Sequence, residues 1–404
     1  MENLKPVKVA MIGVGAISGI YLQNITKTFR EIELTGVCDL IMERAEKGAA
    51  YVKDEIGKGA PVTAPKIYKD MYEAFADPEV EVILNLTRPY EHYEVTKQAL
   101  LHGKHVYSEK PLAVDMDEAG ELVALAQKCG LLLGGAPDTF MGAGIQTARR
   151  LIDNGMIGEV VGANCAMVCH GHESWHPDPE FYYKRGGGPM MDMGPYYMTA
   201  LVQLLGQAEG VMGMTKKSFA RRLITSDPHC GESIGVDVDT YLTGNIRFSS
   251  GAIAQVFTTF DVYYPQGASS RFEVYGTEGT LIVPDPNTFG GPVMLLRPED
   301  MAAAPKTDPA LMRRGLPDIY GGYKEIPLMY DYCENSRGLG LADMCKGIRQ
   351  GRDYRANVQQ QHHVLEILTS FTKSCETGAY IPLQTKYVRT APMKNNPMHG
   401  ILDD

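Results

Sequence analysis

The 404-residue sequence contains no apolar run long enough to cross a bilayer, and its N-terminal segment lacks the apolar core and cleavage site of a secretory signal. We therefore expect a cytoplasmic protein without a membrane partner. Basic charge is also scarce, with 39 lysines and arginines against 49 acidic residues and a net charge of −10. Because nucleic acids are bound by basic surfaces, the sequence predicts no nucleic-acid partner.

Cysteine pairs with redox or metal-binding spacing are missing as well. The eight cysteines include no Cys-x-x-Cys pair, which favours buried thiols over a disulfide framework. One stretch does collect five potential zinc ligands: Cys165, Cys169, His170, His172 and His176. On a continuous strand the cysteines would face one side and two of the histidines the other, so four ligands could not converge tetrahedrally. We expect no metal site.

The order of the predicted elements indicates two domains. Strands and helices alternate up to residue 136, and the strands are apolar on both faces. This pattern predicts a doubly wound parallel sheet covered on both sides. Residues 137–404 contain longer strands separated by turns such as 249–251 and 276–279, which predict an α+β domain on a large, mostly antiparallel sheet.

Within the second domain, strands are predicted at residues 160–168, 236–248, 252–260, 271–275 and 280–283. The stretch 285–323 is rich in glycine and proline and is predicted to be irregular. Two late helices, near residues 340–350 and 360–376, are expected to pack back on the first domain. In the strand at 252–260 neither alternating set of side chains is strongly polar, so both faces need cover, and we expect a homo-oligomer, a dimer or a tetramer.

The first strand runs directly into a glycine-rich turn that opens the first helix: Gly13, Gly15, Ala16 and Ile17. The glycines permit a tight turn and let the backbone approach a pyrophosphate at the helix N-terminus, although Ser18 stands where the fingerprint has its third glycine. Asp39 ends the second strand, where an acid hydrogen-bonds the adenosine ribose and repels a 2′-phosphate. The first domain is therefore predicted to be a Rossmann domain that binds NAD in preference to NADP.

Two further segments place polar side chains where a substrate could bind. Lys110 follows a buried strand, at the sheet edge where open α/β sheets bind ligands, and burial is expected to lower its pKa so that it can exchange a proton. Asp192 and Tyr196 follow the triple glycine 186–188 and are expected to share one helical face. A solvated surface lysine and a helix acid favoured by the macrodipole are the alternatives.

These features together resemble the glucose–fructose oxidoreductase / inositol dehydrogenase / MocA family. The resemblance covers nearly the whole chain and is carried by the glycine fingerprint, by Asp39, by the Glu109-Lys110-Pro111 segment and by Gly-Gly-Gly-x-x-x-Asp-x-Gly at residues 186–194. It implies an NAD(H)-dependent oxidoreductase that transfers hydride to or from a hydroxyl carbon of a sugar, glycoside or polyol.

The resemblance also implies roles for single residues. In the family a lysine, an aspartate and a histidine four residues beyond it surround the reacting carbon. Lys110 and Asp192 match, but Tyr196 takes the place of the histidine, which resembles the branch with glucose–fructose oxidoreductase and dihydrodiol dehydrogenase. In that branch the tyrosine is the proposed proton donor or acceptor. We therefore expect Lys110, Asp192 and Tyr196 to be the catalytic residues.

Binding roles are expected for two more groups. The resemblance implies cofactor contacts for Thr87, His92, Glu109 and Lys110, although a capping or packing role for His92 is an equal alternative. The loop at residues 171–177 is expected to lie over the nicotinamide end of the cleft and to contact a sugar ring. The carbohydrate-binding residues expected there are His172, Trp175, His176, Tyr183 and Asp192.

Two other functions stay open on the sequence. A related NAD-dependent glycosidase would oxidise the sugar ring only transiently, and a cofactor-sensing regulator would bind without turnover. The presence of both Lys110 and Asp192 favours an enzyme over a regulator, because a binding protein has no need of a proton relay.

Overall fold

The computed structural model describes residues 5–263, 270–303, 321–394, 399, 400 and 402. The first six strands are β1 (Val7–Ile12), β2 (Ile32–Cys38), β3 (Lys66–Ile67), β4 (Val82–Asn85), β5 (His105–Ser108) and β6 (Leu133–Gly135). They form one parallel sheet in the order β3-β2-β1-β4-β5-β6. The helices between them are α1 (Ser18–Lys27), α2 (Met42–Gly57), α3 (Met71–Ala76), α4 (His92–Leu101) and α5 (Met116–Cys129).

Local sequence explains why these elements form where they do. Every residue of β4 is buried, as expected for a central strand of a sheet covered on both faces. Helix α5 begins after Asp115, whose side chain accepts a hydrogen bond from the backbone N–H of Glu118. It ends at Gly130, which has a left-handed conformation with φ of 67°. The doubly wound first part of the predicted fold is confirmed.

The second part is built on a nine-stranded sheet. Its strands are β7 (Val160–Val168), β8 (Ala208–Lys216), β11 (Tyr241–Phe248), β12 (Ile253–Thr259), β13 (Ser270–Gly276), β14 (Gly279–Ile282), β15 (Val293–Leu296), β16 (Lys324–Ile326) and β17 (Ile381–Pro382). The order is β16-β15-β14-β13-β7-β12-β11-β8-β17, and β7 with β12 is the parallel pair in this otherwise antiparallel sheet. The predicted large, mostly antiparallel sheet is confirmed.

Within the described residues, the other main elements of the second part are a small hairpin and six α-helices. The hairpin consists of β9 (Arg221–Leu223) and β10 (Ser233–Gly235). The helices are α6 (Ala143–Asp153), α7 (Pro189–Asp192), α8 (Gly194–Leu205), α9 (Pro298–Ala303), α10 (Leu339–Gln350) and α11 (Val358–Thr377). Helix α11 packs against α8 and against β8 and β11 of the large sheet, and also contacts β6 and α5 of the first part. None of the helices within the described ranges is long and apolar enough to cross a membrane.

Two predicted segments differ from the structure. The strand expected at residues 236–248 begins only at Tyr241, because the backbone N–H groups of Val236 and Asp237 bond instead to the carbonyls of Ala220 and Tyr183. The stretch 285–323 is not wholly irregular, since it contains β15 and α9. Its glycines and prolines lower strand propensity, but pairing of β15 with both β14 and β16 outweighs that preference. Residues 304–320 of this stretch lie outside the described ranges.

Helix α10 is anchored to the first sheet by its last turn. Arg349 forms a salt bridge with Glu81, with Nη2 2.6 Å from Oε2, and donates to the backbone carbonyl oxygens of Lys5 and Pro6. Before the start of α10, Arg337 contacts Tyr196 of α8, and Lys110 just after β5 contacts Asp192 at the end of α7, so these segments meet at one cleft.

Candidate active site

Asp192 joins two residues predicted for the site. Lys110 Nζ donates hydrogen bonds to the backbone carbonyl oxygen of Asp192 at 2.6 Å and to its Oδ1 at 2.9 Å. On the other carboxylate oxygen, Oδ2 lies 3.2 Å from His172 Nε2. All three side chains are largely buried. The structure thus brings the loop after β5, the loop after β7 and the end of α7 to one point.

The pKa of Lys110 is shifted in the opposite direction to the one expected from the sequence. Burial alone would lower the pKa of Lys110, but the adjacent carboxylate of Asp192 raises it well above its usual range. Burial would raise the pKa of Asp192, but Lys110 and His172 hold it well below its usual range. The prediction of a lowered pKa for Lys110 is wrong, because the sequence did not show its partner. Lys110 is a cation here and acts as a hydrogen-bond donor.

Tyr196 lies beside this pair. Its side chain is 7% exposed, and the centroid of its ring is 5.1 Å from Lys110 Nζ. Asp192 and Tyr196 do not belong to one continuous helix as expected: α7 ends at Asp192, and α8 begins at Gly194. Pro195 explains the break, because it has no N–H to continue the helical hydrogen bonds.

The triple glycine lets the chain turn tightly just before Asp192. A Cβ at Gly187 would lie 2.4 Å from the carbonyl oxygen of Phe181, and Gly188 has a φ of 86°. The N–H of Gly188 donates to the carbonyl oxygen of Tyr182 at 2.6 Å. No side chain fits at Gly187, so the glycines place α7, and Asp192 with it, next to Lys110.

The glycine turn after β1 has the geometry of a dinucleotide cradle. Gly13 has a φ of 95°, and a Cβ there would lie 2.7 Å from the carbonyl group of Leu86. A Cβ at Gly15 would meet no protein atom within 4 Å, so the space above the turn is open. Asp39 directly follows β2 beside this turn, and its Oδ2 accepts the N–H of Val14 at 2.7 Å. Ala16 is exposed and Ile17 half-buried at the start of α1. These residues fit a pyrophosphate and an adenosine ribose.

The other residues predicted to bind the cofactor hold the neighbouring loops. His92 is buried, with Nδ1 2.7 Å from the carbonyl oxygen of Pro111 and Nε2 3.0 Å from that of Thr87. Burial lowers the pKa of His92. Thr87 Oγ1 donates to Asn85 Oδ1 at 2.6 Å. The His92 ring therefore packs between the loop after β4 and the loop after β5. This position agrees with the alternative of a packing role for His92.

Glu109 is also buried. Its Oε1 accepts a hydrogen bond from the Tyr21 hydroxyl at 2.8 Å, and its Oε2 accepts the N–H of Lys110 at 3.0 Å. Tyr21 belongs to α1, so this contact fixes the start of the Lys110 segment against the helix that follows the glycine turn.

Aromatic rings surround His172 in the loop predicted to bind a sugar. The His172 ring lies 4.2 Å from Tyr182 and 4.6 Å from Phe260, measured between centroids. Trp175 is 5.3 Å from His172 and 61% exposed, and its other neighbour is His176 at 5.4 Å. The rings of this loop thus extend from the buried Asp192, beside His172, to the solvent-exposed Trp175.

Tyr183 has a different position from the one expected. It is fully buried, and its hydroxyl donates to Glu173. Arg222 Nε donates to the same carboxylate at 2.5 Å, and Arg222 Nη2 donates to the carbonyl oxygen of His170. Tyr183 therefore supports the loop from below, while its neighbour Tyr182 lies beside His172. Glu173 and Arg222 were missed in the sequence because nothing local relates them.

The cysteine and histidine stretch has no metal-binding geometry. Strand β7 ends at Val168, so the alternation expected on a continuous strand does not extend to His170 and His172. The His170 ring stacks on Tyr263 with 3.7 Å between centroids. In the parts of the chain that the structure describes, no three His, Cys, Asp or Glu side chains are grouped to hold an ion.

The fold and the cleft define a two-domain, dinucleotide-binding oxidoreductase. Residues 7–135 match the model of an oxidoreductase family with an NAD-binding Rossmann fold, and residues 145–282 match the GFO/IDH/MocA C-terminal domain. The chain therefore belongs to the GFO/IDH/MocA family of NAD-binding oxidoreductases.

Named relatives and solved structures agree with this assignment. The 1,5-anhydro-D-fructose reductase of Ensifer adhaerens is 32% identical over 62% of this chain and 69% of that protein. The D-glucoside 3-dehydrogenase of Escherichia coli is 28% identical over 63% of this chain and 70% of its own. The structure of levoglucosan dehydrogenase with NADH and levoglucosan has a TM-score of 0.74 and 18% identity, covering 94% of this chain and all of that chain. At this identity the structural match shows the shared fold.

Proposed function

We propose that this chain uses NAD(H) to oxidise a hydroxyl carbon of a sugar, glycoside or polyol, or to reduce the corresponding ketone. One observation carries the proposal: Asp192 holds the Lys110 ammonium beside Tyr196, at the carboxyl edge of the NAD-binding sheet. The names of the two relatives, a sugar reductase and a glucoside dehydrogenase, support the same substrate class.

The glycine turn and Asp39 are the residues that would hold NAD. Gly13 and Gly15 leave room for the pyrophosphate, and the Asp39 carboxylate would accept hydrogen bonds from the adenosine ribose. Bound NAD would accept the hydride from the substrate carbon, so the hydroxyl proton has to pass to a base of this chain as the carbonyl forms.

The three site residues then have distinct roles. Lys110 is cationic and would donate a hydrogen bond to the substrate oxygen, where negative charge develops as the proton leaves. Asp192 keeps the ammonium charged and oriented. Tyr196 would accept the proton, taking the role of the family histidine. His172 and Trp175 would bind the ring, since exposed aromatic rings beside polar groups suit the flat apolar face of a sugar.

A substrate screen tests this function. Monosaccharides, glycosides and inositols are incubated with the protein and NAD, and both NADH and the oxidised product are measured. We expect NADH to accumulate in step with a keto product and the rate to collapse in Lys110→Met. Glycosidic cleavage without net NADH would identify the glycosidase instead, and cofactor binding without any turnover would identify a regulator.

We also propose a homo-oligomer, a dimer or a tetramer, that buries the open face of the large sheet. On β12, Ala254 and Val256 are buried, whereas Ile253 is 55% exposed in the single chain. Met212 and Met214 of β8 are exposed as well. Apolar side chains on an open sheet face are usually covered by a partner.

Two smaller points belong to the proposal. A boundary between residues 136 and 137 is supported by the change from the parallel to the antiparallel sheet. A cytoplasmic location is supported by the eight cysteines, all of which are free thiols, as expected in a reducing compartment. Cell fractionation would test the location directly.

A further inference from the structure

Arg337 lies immediately before α10 and reaches the hydroxyl of Tyr196. Its Nη2 is 3.5 Å from that hydroxyl oxygen, and its guanidinium carbon is 5.9 Å from the centroid of the ring. The same Nη2 donates to Asn287 Oδ1 at 2.6 Å, and Nη1 donates to Asn335 Oδ1 at 2.8 Å. Both amide oxygens are neutral, so they orient the guanidinium without neutralising its charge.

The charge of Arg337 has no adjacent counter-ion. Among the described residues, Arg337 forms no ion pair with a carboxylate, although it is half-buried. The acids that act on it from further away are engaged elsewhere: Glu109 accepts from Tyr21, and Asp138 accepts the N–H groups at the start of α10. A partly buried, unneutralised cation is costly to a fold, which indicates that a neighbouring group uses its charge.

The position of Arg337 is fixed from two sides. Asn24 of α1 donates from Nδ2 to the carbonyl oxygens of Asn335 and Arg337, both at 2.8 Å. Asp138 Oδ2 accepts the N–H of Gly338 at 2.9 Å. Asn24 of the NAD-binding part and Asp138 of the second part therefore hold the backbone that carries the guanidinium.

We propose that Arg337 is a positioning residue that orients the Tyr196 hydroxyl and stabilises negative charge on its oxygen. This proposal rests on the proposed function, in which the substrate O–H bond breaks as its carbon loses hydride to NAD. The proton passes to the ionised Tyr196 oxygen, which becomes a neutral phenol, and a carbonyl remains on the substrate. Before that step the phenol oxygen carries the charge, and a cation beside it makes this state accessible.

Other charged groups contribute to the same environment. Lys110 and Tyr182 also interact electrostatically with Tyr196, and Asp192 lies four residues before it at the end of α7. The Lys110 charge is largely balanced by Asp192, whose carboxylate it contacts at 2.9 Å. Of the two cations beside the Tyr196 ring, Lys110 and Arg337, only Arg337 lacks a balancing carboxylate among the described residues.

Steady-state kinetics across pH test the proposal in the full-length enzyme. We expect Arg337→Met to lower kcat at neutral pH by at least about tenfold, with KM little changed, and to move the rise of activity to higher pH; a tenfold loss corresponds to a shift of one pH unit. Arg337→Lys should restore part of the rate. In a Tyr196→Phe background, Arg337→Met should cause no further loss, because the two residues act as one unit.

A second measurement needs neither cofactor nor substrate. The ultraviolet difference spectrum between wild type and Tyr196→Phe, followed against pH, isolates the ionisation of this one tyrosine. The same pair in the Arg337→Met background should ionise at higher pH. Arg349→Met is the matched control: it removes an arginine from the other end of α10 and should leave the difference titration unchanged, even if the melting temperature falls.

Three results would overturn the proposal. Losses from Arg337→Met and Tyr196→Phe that add in the double variant would show independent action. A raised KM for acidic sugars at unchanged kcat would make Arg337 a substrate-binding residue. An unchanged difference titration in a folded Arg337→Met variant would show that Arg337 has no electrostatic effect on Tyr196. A wild type without dehydrogenase activity would refute the proposed function but not the effect of Arg337 on Tyr196, since the titration shift is measured without turnover.

Discussion

Lys110 is the side chain whose loss should matter most to turnover. We expect Lys110→Met to reduce kcat/KM at least about a hundredfold, because the variant keeps the volume but loses the cation beside the substrate oxygen. The NAD dissociation constant should change little. Stopped-flow or steady-state rates, together with cofactor titration, measure both. Lys97→Met serves as the control. Lys97 pairs with Glu121 at the surface, away from the cleft, so its substitution should leave kcat/KM unchanged. A fully active Lys110→Met enzyme would mean that the cleft is not the catalytic site.

Asp39 should decide the choice of cofactor. Asp39 directly follows β2 and lies next to the glycine turn, where its carboxylate would repel the 2′-phosphate of NADP. We expect a clear preference of the wild type for NAD in kcat/KM and a narrower preference in Asp39→Ala. Asp39→Asn separates charge from geometry, since its amide oxygen can still accept the N–H of Val14. Equal or better efficiency of the wild type with NADP would refute this assignment.

Among the secondary-structure elements, the β1–α1 turn offers a matched pair of substitutions. Gly13→Ala forces a Cβ to within 2.7 Å of the Leu86 carbonyl at positive φ, so we expect a loss of about 1–3 kcal/mol of stability together with weaker NAD binding. Gly15→Ala meets no protein atom and should unfold at the wild-type temperature while still weakening NAD binding. Thermal melts and cofactor titration separate the two effects. A Gly15→Ala variant with unchanged affinity would place the pyrophosphate elsewhere.

The N-terminal cap of α10 should make stability depend on pH. Burial raises the pKa of Asp138 to about 6, although the N–H groups of Gly340 and Gly338 that it accepts oppose this. Because the folded-state pKa lies above the unfolded value, the stabilising contribution of the protonated acid is complete below about pH 4 and is lost as pH rises through about 6.

A pair of Asp138 variants measures this contribution. Asp138→Asn keeps an oxygen to accept the two N–H groups and cannot ionise, so its melting temperature should fall less than that of the wild type between pH 4 and pH 7. Asp138→Ala removes the cap and should be about 1 kcal/mol less stable than Asp138→Asn at every pH. Parallel curves for wild type and Asp138→Asn would show that this carboxyl does not titrate in that range.

For the molecule as a whole, the open face of the large sheet is the feature that needs a partner. Met214 is 72% exposed, and Thr243, which it opposes, also pairs with Phe257 on the same face. We expect light scattering to give a dimer or tetramer mass at micromolar concentration and Met214→Glu to shift it towards the monomer. Val388→Glu is the control, because Val388 is an even more exposed apolar side chain that lies away from the sheet strands. A monomeric wild type would refute the interface.

Much of the architecture could be predicted from local pattern. The apolar runs at Val7–Ile12, Ile32–Cys38 and Val160–Val168 appear as strands with those bounds, because burial of both faces or of alternate residues is visible within a few positions of the chain. The glycine turn and Asp39 could be recognised in the sequence for the same reason, because they lie next to these strands. Short edge strands such as β3 and β17 were missed, since two residues leave no periodicity to detect.

The electrostatic interactions of the cleft could not be predicted from local sequence patterns. Lys110 and Asp192 meet across 82 residues, and Arg337 meets Tyr196 across 141. The spacing of residue types along the chain predicts backbone conformation, which depends on near neighbours. A pKa instead depends on whichever charges the packed sheets and helices bring within a few ångströms. Local sequence therefore sufficed for the Rossmann domain and its NAD cofactor, whereas the roles assigned to the single site residues stay predictions. The charge of Lys110, the supporting role of Tyr183 and the presence of Arg337 at the site were settled only by tertiary packing.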